Sequence, residues 1–440
     1  MLFPSAIAAA RAVGDSTERL MALRAKITAL RRDLQQARAA MLDLPLELVE
    51  RDLFSGTRYL ERAEQLAANR EYPEIAEFWF DLTAFSLRSA SRYLVPSRSV
   101  EARGMLIDAD AIPKNFAGVR KLVDLLANAN FNILLPEAIR RGYTVYPSNW
   151  LERDPEFAGA PDVFGELVNY AQRRGLEVHP WIWTLRVRSY DAQRDYGNPV
   201  IARFPALAAR SDTTERPRFL SPANPGTKQF LLREISELLE RYAVDGLFLD
   251  YIRYDEETTD DWSSQTAYRL EQLNSWQLPV ALDIAKTSEQ PASSASLEVE
   301  RRNYQSWREE QVSRLVREVA TLLRKRSGKL TLSAATFRGE HYTRRTKLQN
   351  WRYWIDQGYL GFAGSMLYST DAKEVANWIN QETDQGKRNT LLYPILGIHR
   401  MDQPAEDLLE QVQVIRQQSQ PGILLFAMGH LPPSLLVDLR

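Results

Sequence analysis

From Arg103 onward the chain alternates short β-rich runs with helical stretches, eight times over, and no other feature restricts its fold as much. The runs cover 104–108, 131–136, 176–183, 246–251, 330–337, 361–368, 390–398 and 422–427. A strand followed by a helix returns to pair in parallel across a crossover, so the alternation predicts a parallel sheet covered by helices. Amphipathic spacing is clearest at 116–130, 228–242 and 311–325; in the first, Val119, Leu122, Val123 and Leu126 share one face. Eight strands without a GxGxxG fingerprint favour closure into a (β/α)8 TIM barrel, of fold class α/β, over an open doubly wound sheet.

The first hundred residues follow a different rule. Leu20, Leu23, Ile27, Leu30, Leu34, Ala37 and Met41 recur at steps of three and four, a heptad seam, and 47–69 and 75–93 are also helical in pattern. The expected division is a helical region over 1–98, a bundle or coiled-coil hairpin, and a barrel over 99–440. Left open, the seam would serve a homodimer; neighbouring helices in the same chain favour an antiparallel bundle packed on its own barrel. The stretch 84–93 could stand in for a full eighth barrel helix.

Lys and Arg number 56 against 57 Asp and Glu, so no net field draws the chain to nucleic acid or anionic lipid. No run reaches the roughly 18 apolar residues of a membrane span. Cysteine is absent, and His179, His341, His399 and His430 are far apart in sequence with no HExxH pair, so neither a metal nor a cofactor is expected. The apolar N-terminal stretch has no basic residue before it and makes a poor export signal, which leaves a cytoplasmic location open beside the envelope or secretion.

The loops after the second, third and fourth strands, about 137–161, 184–223 and 252–303, are long, and 287–297 reads as a mobile part of the last. In barrels of this kind chemistry occurs at the C-terminal strand ends, and long loops there shape a cleft for an extended ligand. DGLFLDYIRY (245–254) places Asp245 and Asp250 roughly 16 Å apart, on opposite faces and at opposite ends of one strand. Asp245 then suits a turn or cap. Asp250 crowns the strand at the catalytic face, in phase with Gly246 and Phe248 toward the interior. A charge-assisted bond from Arg253 should hold it ionised and lower its pKa, with Tyr254 in support.

Cleavage of a glycosidic bond generally needs two carboxyl groups, one of them protonated to assist the leaving oxygen. Glu137, directly after the second strand, is the first choice of partner, although a salt bridge to Arg140 or Arg141 would suit it equally. Asp108, Asp110 and Glu340 are the others in range of a strand end. Nine of the ten tryptophans lie between Trp150 and Trp378, and flat rings with polar neighbours suit sugars. Trp181, Trp183, Tyr251, Arg253, Tyr254 and Tyr368 are expected to bind substrate, as is His179, which shares the face of Trp181 but equally suits a buried interior position. Trp307, Trp351, Trp354 and Trp378 lie in helical stretches and suit the core.

These pieces resemble the glycosyl-hydrolase-like family ten, bacterial (β/α)8 barrels related to α-amylase-type hydrolases. The matching segments are Arg103-Gly104, GYTVYPS (142–148), RRGLEVHPWIW (173–183), LSPANPGTKQF (220–230), DGLFLDYIRY (245–254), Trp307-Arg308 and SMLYS (365–369). The resemblance spans about 102–430 and implies hydrolysis of a glycosidic bond, often in envelope glycans, with the strand-four aspartate at the site. Two positions depart from the family pattern: Asp255 stands where DYIRYP ends in proline, and Ser365 where PM-Y has proline.

The function expected is therefore an O-glycoside hydrolase acting on a bacterial cell-envelope polysaccharide through two carboxyl groups, Asp250 and Glu137. The alternative is a non-catalytic carbohydrate-binding barrel, in which the aromatic cleft persists but the carboxyls do not converge. A phosphate-handling barrel would want a Gly-rich anion loop after strands seven and eight, where this chain has GIHRMDQ (397–403) and MGHLPPS (428–434).

Overall fold

The computed structural model describes residues 6–41, 44–69, 73–94, 101–189, 197–212, 214–254, 261–275, 294–383, 391–401 and 404–431. Asp255 and residues 287–293, singled out above, lie outside them. Two compact units emerge, Met1–Glu101 with Ala405–Gln413, and Ala102–Pro404 with Val414–Arg440.

The first unit holds the helices α1 (Ala6–Ala39), α2 (Leu46–Asn69) and α3 (Pro73–Tyr93). The heptad seam of α1 is filled from within the chain: Leu23, Ile27, Leu30 and Leu34 are buried together with Val49, Leu53 and Leu60 of α2 and Phe80, Leu87 and Ala90 of α3. Arg24 pairs with Glu64 and Arg38 with Glu50, an order that makes α1 antiparallel to α2. Among the described residues no helix is long and apolar enough to cross a membrane.

The second unit is a closed parallel barrel of eight strands: β1 (Ala102–Ile107), β2 (Ile133–Arg140), β3 (Glu177–Val178 and Trp181–Trp183), β4 (Gly246–Asp250), β5 (Thr331–Phe337), β6 (Phe362–Met366), β7 (Leu392–Gly397) and β8 (Gly422–Phe426). Each strand pairs with its neighbours in sequence, and β1 closes the ring by pairing with both β8 and β2. Leu106, Ile133, Leu135, Trp181, Phe248, Ala335, Phe362, Ile395 and Leu424 fill the interior. Because side chains alternate along a strand, Leu247 and Leu249 face the surrounding helices instead, where both are buried. The helix Phe116–Asn128 turns Val119, Leu122, Val123 and Leu126 inward and is capped by the Asn115 side chain, which accepts from Gly118 N.

Two strands differ from the sequence expectation, each for a local reason. The third is broken between Val178 and Trp181, where Pro180 has no N–H to give the ladder. The second runs to Arg140, well past 136. Arg141 and Gly142 both take positive φ (53° and 81°), so Tyr143–Thr144 folds back in a two-residue hairpin against Ile139 and Arg140. Glu137 consequently lies within a strand rather than after one.

Asp245 and Asp250 sit at opposite ends of β4. Asp245 ties the strand entrance, accepting from Val178 N at 2.9 Å and Gln172 Nε2 at 3.0 Å. Gly246 is next because a Cβ there would come 2.5 Å from Thr331 O and 2.8 Å from the His179 ring.

Candidate active site

Asp250 ends β4 at the C-terminal mouth of the barrel, half-buried and in phase with the interior Phe248. Its Oδ1 accepts from Tyr251 N at 2.7 Å and its Oδ2 from the Trp181 indole N–H at 3.1 Å. Burial pushes the carboxyl up from its ordinary value, opposed by the Tyr251 N–H, the Arg253 charge, the Trp181 N–H and the Arg186 charge. The expectation that Arg253 lowers this pKa is therefore corrected: its field favours the carboxylate, but loss of water outweighs it. The Arg253 guanidinium donates to Tyr254 O at 3.1 Å and packs over the rings of Phe337, Phe219 and Tyr251.

Glu137 reaches the same mouth from β2. It is in phase with the interior residues Ile133 and Leu135, and pairs in register with Trp181, while Trp183 pairs with Asp250. Its Oε2 accepts from Ala109 N at 2.8 Å. Burial pushes its carboxyl up to about 7, against the Arg140 charge. The Trp183 indole favours its ionised form from nearby while closing no hydrogen bond. Arg140 Nη1 stays 3.8 Å away because that guanidinium is engaged by Asp110 at 2.5 Å, Asp154 at 2.8 Å and Glu156 at 2.9 Å. The salt-bridge role weighed for Glu137 thus falls mainly to Asp154 and Asp110.

Tyr251 lies in the field of both carboxyls. Burial raises its hydroxyl pKa first, then the charge of Asp250, with Glu137 adding in the same sense. The residue takes a left-handed φ of 52°, which turns its N–H back onto Asp250. Its ring lies 5.0 Å from Trp183, and the Arg186 guanidinium stands 4.7 Å from both rings. On the far side, Tyr368 stacks on Phe426 at 5.6 Å, and Trp181 meets Phe426 edge-on at 5.9 Å. The charge of Asp250 reaches the Tyr368 hydroxyl, whose pKa rises chiefly through burial.

Two residues expected at the cleft are not brought to it. His179 is buried at the level of Gly246, near the entrance of β4, stacked on Phe362 with its Nε2 3.4 Å from Glu177. Three residues of β4, Leu247 to Leu249, separate that level from Asp250, so His179 belongs to the barrel floor. Tyr254 is buried, its hydroxyl 2.9 Å from Ser264 Oγ, which donates to Asp261 at 2.7 Å; it braces the loop after β4. Among the other carboxyls, Glu340 pairs with Arg352 at 2.6 Å and Asp108 accepts from Gly429 N at 2.9 Å. Trp351 and Trp354 are fully buried, as their helical setting implies.

Arg186, Phe426, His399 and His430 are site neighbours that sequence reasoning missed. His399 follows β7, His430 follows β8, and their rings come within 5.6 Å, with His399 edge-on to Tyr368 at 5.2 Å. Their nearness to two strand ends was the available signal; thirty residues of sequence lie between them. Burial, His430 and Arg400 together lower the His399 pKa. Among the described residues no group of three or more His, Asp or Glu side chains is arranged to hold a metal ion.

Residues 113–397 match the family described as Glycosyl hydrolase-like 10. The chain is 28% identical, over a 148-residue alignment, to an S-layer-related protein of Niallia circulans; the match covers 28% of this chain and 9% of that protein. Among solved structures, the glycoside hydrolase domain of PgaB (BpsB) from Bordetella bronchiseptica aligns with TM-score 0.55 at 15% identity, covering 77% of this chain and 96% of that one. The catalytic domain of β-amylase from Paenibacillus polymyxa aligns with TM-score 0.52 at 11% identity, covering 76% and 94%. At these identities the two structures establish a shared fold, that of barrel glycoside hydrolases.

Proposed function

The chain belongs to the glycosyl hydrolase-like 10 family, and from that premise we propose that it hydrolyses O-glycosidic bonds in a bacterial cell-envelope polysaccharide, with Asp250 and Glu137 as the reacting carboxyls. The observation that carries the reading is that two inward-facing carboxyls at one barrel mouth are provided for differently. Asp250 receives two N–H donors, from Tyr251 and Trp181, which suit a group that bears or develops negative charge. Glu137 receives one, from Ala109, and its carboxyl is pushed up to about 7, which suits a group that holds a proton and gives it to a leaving oxygen.

In this reading Glu137 protonates the glycosidic oxygen as the bond breaks. Asp250 faces the anomeric carbon or the water that attacks it. Trp183, Tyr251 and Tyr368 offer ring faces to the C–H surfaces of the sugar, and the Arg186 guanidinium braces both Trp183 and Tyr251. The partial match to an S-layer-related protein supports the envelope as the source of substrate. The test is to incubate purified protein with defined envelope glycans, including peptidoglycan strands with and without peptides, and to follow products by mass spectrometry. Shortened glycans with wild type and none with Asp250→Asn are expected. Glycan bound but never shortened by wild type would mark a carbohydrate-binding protein instead.

A further inference from the structure

Among the described tryptophans one stands open to solvent. Trp262 is 48% exposed, whereas Trp181, Trp351 and Trp354 are buried and Trp79, Trp150, Trp183, Trp307 and Trp378 are half-buried. An isolated exposed apolar side chain on a surface calls for no explanation. Trp262, however, is held at both its ring and its backbone. Its indole N–H donates to Asp212 Oδ1 at 3.2 Å, and its backbone N–H donates to Arg210 O at 2.8 Å. It opens the helix Trp262–Ser275 directly after Asp261, a fully buried carboxylate that accepts from Ser264 N at 3.0 Å and Ser264 Oγ at 2.7 Å. A ring immobilised this way loses little entropy when a flat ligand lies against it.

Its position links it to the cleft. Phe219 lies 6.2 Å from the Tyr251 ring, and Phe219 O accepts from Ala209 N at 2.8 Å. Ala208 bridges Leu220 in antiparallel register, and Arg210, next along, carries the carbonyl that fixes Trp262. This short ribbon joins the Phe219 ring beside Tyr251 to the carbonyl that fixes Trp262.

We propose that Trp262, with Asp212, forms an outlying subsite that stacks on a pyranose ring beyond the one at Asp250, so that the site takes a glycan chain rather than a terminal sugar. The inference rests on the hydrolase reading above. The exposed indole face meets the C–H surface of the ring. The Asp212 carboxylate, which already accepts the indole N–H, keeps lone pairs for a sugar hydroxyl.

Affinity electrophoresis and product analysis on wild type, Trp262→Ala and Trp262→Phe separate the outcomes, using peptide-free peptidoglycan strands graded from one to eight sugars and an activated aryl monosaccharide glycoside. Trp262→Ala should weaken binding of the longest strands about tenfold and raise their KM, with kcat and the rate on the aryl glycoside unchanged, and Trp262→Phe should recover much of the loss. An affinity for long strands that Trp262→Ala leaves intact, with cleavage still dependent on Asp250, overturns the subsite alone. Long strands bound through Trp262 but never cleaved uphold the subsite and overturn the hydrolase reading. Strands of every length ignored by wild type overturn both.

Discussion

The Trp181 indole N–H donates to Asp250 Oδ2 at 3.1 Å although Trp181 and Asp250 are not register partners; Asp250 pairs with Trp183, one inward-facing position further along the same strand. The indole therefore reaches up the barrel axis to meet the carboxylate from below. Removing that donor while keeping the bulk isolates its electrostatic part. A hydrogen bond to a charged group contributes about 1.5–3 kcal/mol, which converts to roughly one to two pKa units. In Trp181→Phe the ionised form of Asp250 loses support, so a pKa already raised by burial rises further. The acid limb of the kcat–pH profile should move to higher pH by about one unit, with the fold unchanged by circular dichroism. An acid limb that stays in place would separate Trp181 from the charge on Asp250.

The barrel was legible in the sequence because each strand carries its own period and its own boundaries. Asp250 was legible because a carboxylate ending an apolar run can only be at a strand end. The second carboxyl and the shape of the site were harder, since they depend on tertiary relations. Glu137 reads as a loop residue until the positive φ of Arg141 and Gly142 folds Tyr143–Thr144 back and lengthens β2 around it. His179 and Trp181 share a face, and only the break at Pro180 and the depth of Gly246 show that one belongs to the floor and the other to the interior layer just beneath Asp250. The pairing of His399 with His430 follows from the parallel pairing of β7 with β8, which places their C-terminal ends side by side.

Tyr254 separates bracing from binding. Its buried hydroxyl meets Ser264 at 2.9 Å, within a chain of bonds that ends on Asp261. Tyr254→Phe removes one neutral hydrogen bond and leaves Ser264 its bond to Asp261. Stability should fall by about 1 kcal/mol in chemical denaturation. KM for any glycan the protein cleaves should stay at the wild-type value, and a several-fold rise in KM with unchanged stability would return Tyr254 to the cleft.

Glu234 predicts how stability depends on pH. It is buried on the inward face of the helix Pro225–Arg241, and burial, with Glu237 nearby, pushes its carboxyl up to about 8 from an ordinary 4.5. The fold thus favours the protonated form. Its contribution is fully present below the unfolded pKa and is lost as pH rises through the folded one, a window from about 4.5 to 8. Glu234→Gln keeps the shape and cannot ionise. Relative to wild type it should gain a few kcal/mol at about pH 8.5 and change little at about pH 5, measured by denaturant unfolding at each pH. Equal differences at the two pH values would mean that Glu234 does not titrate in this window.

The assignment of Glu137 as proton donor makes the most exposed prediction, because the leaving group tests it independently of folding. A carboxyl pushed up to about 7 by burial remains substantially protonated near neutrality, and activity that needs the proton declines as pH passes that value. The alkaline limb of kcat/KM should therefore lie near pH 7 in wild type. Glu137→Gln is isosteric, and the amide can still accept from Ala109 N, so the loop after β1 keeps its anchor. The amide cannot transfer a proton. On a natural glycan, whose leaving alcohol needs protonation, turnover should drop by about two to four orders of magnitude. An activated aryl glycoside, whose leaving group departs as a stable anion, should lose much less, and its alkaline limb should disappear. Asp250→Asn, by contrast, should abolish turnover of both substrates alike, since the anomeric centre needs its charge whatever leaves. Equal losses on the two substrates in Glu137→Gln would transfer the acid role to another carboxyl, with Asp108 beside Gly429 the next to test.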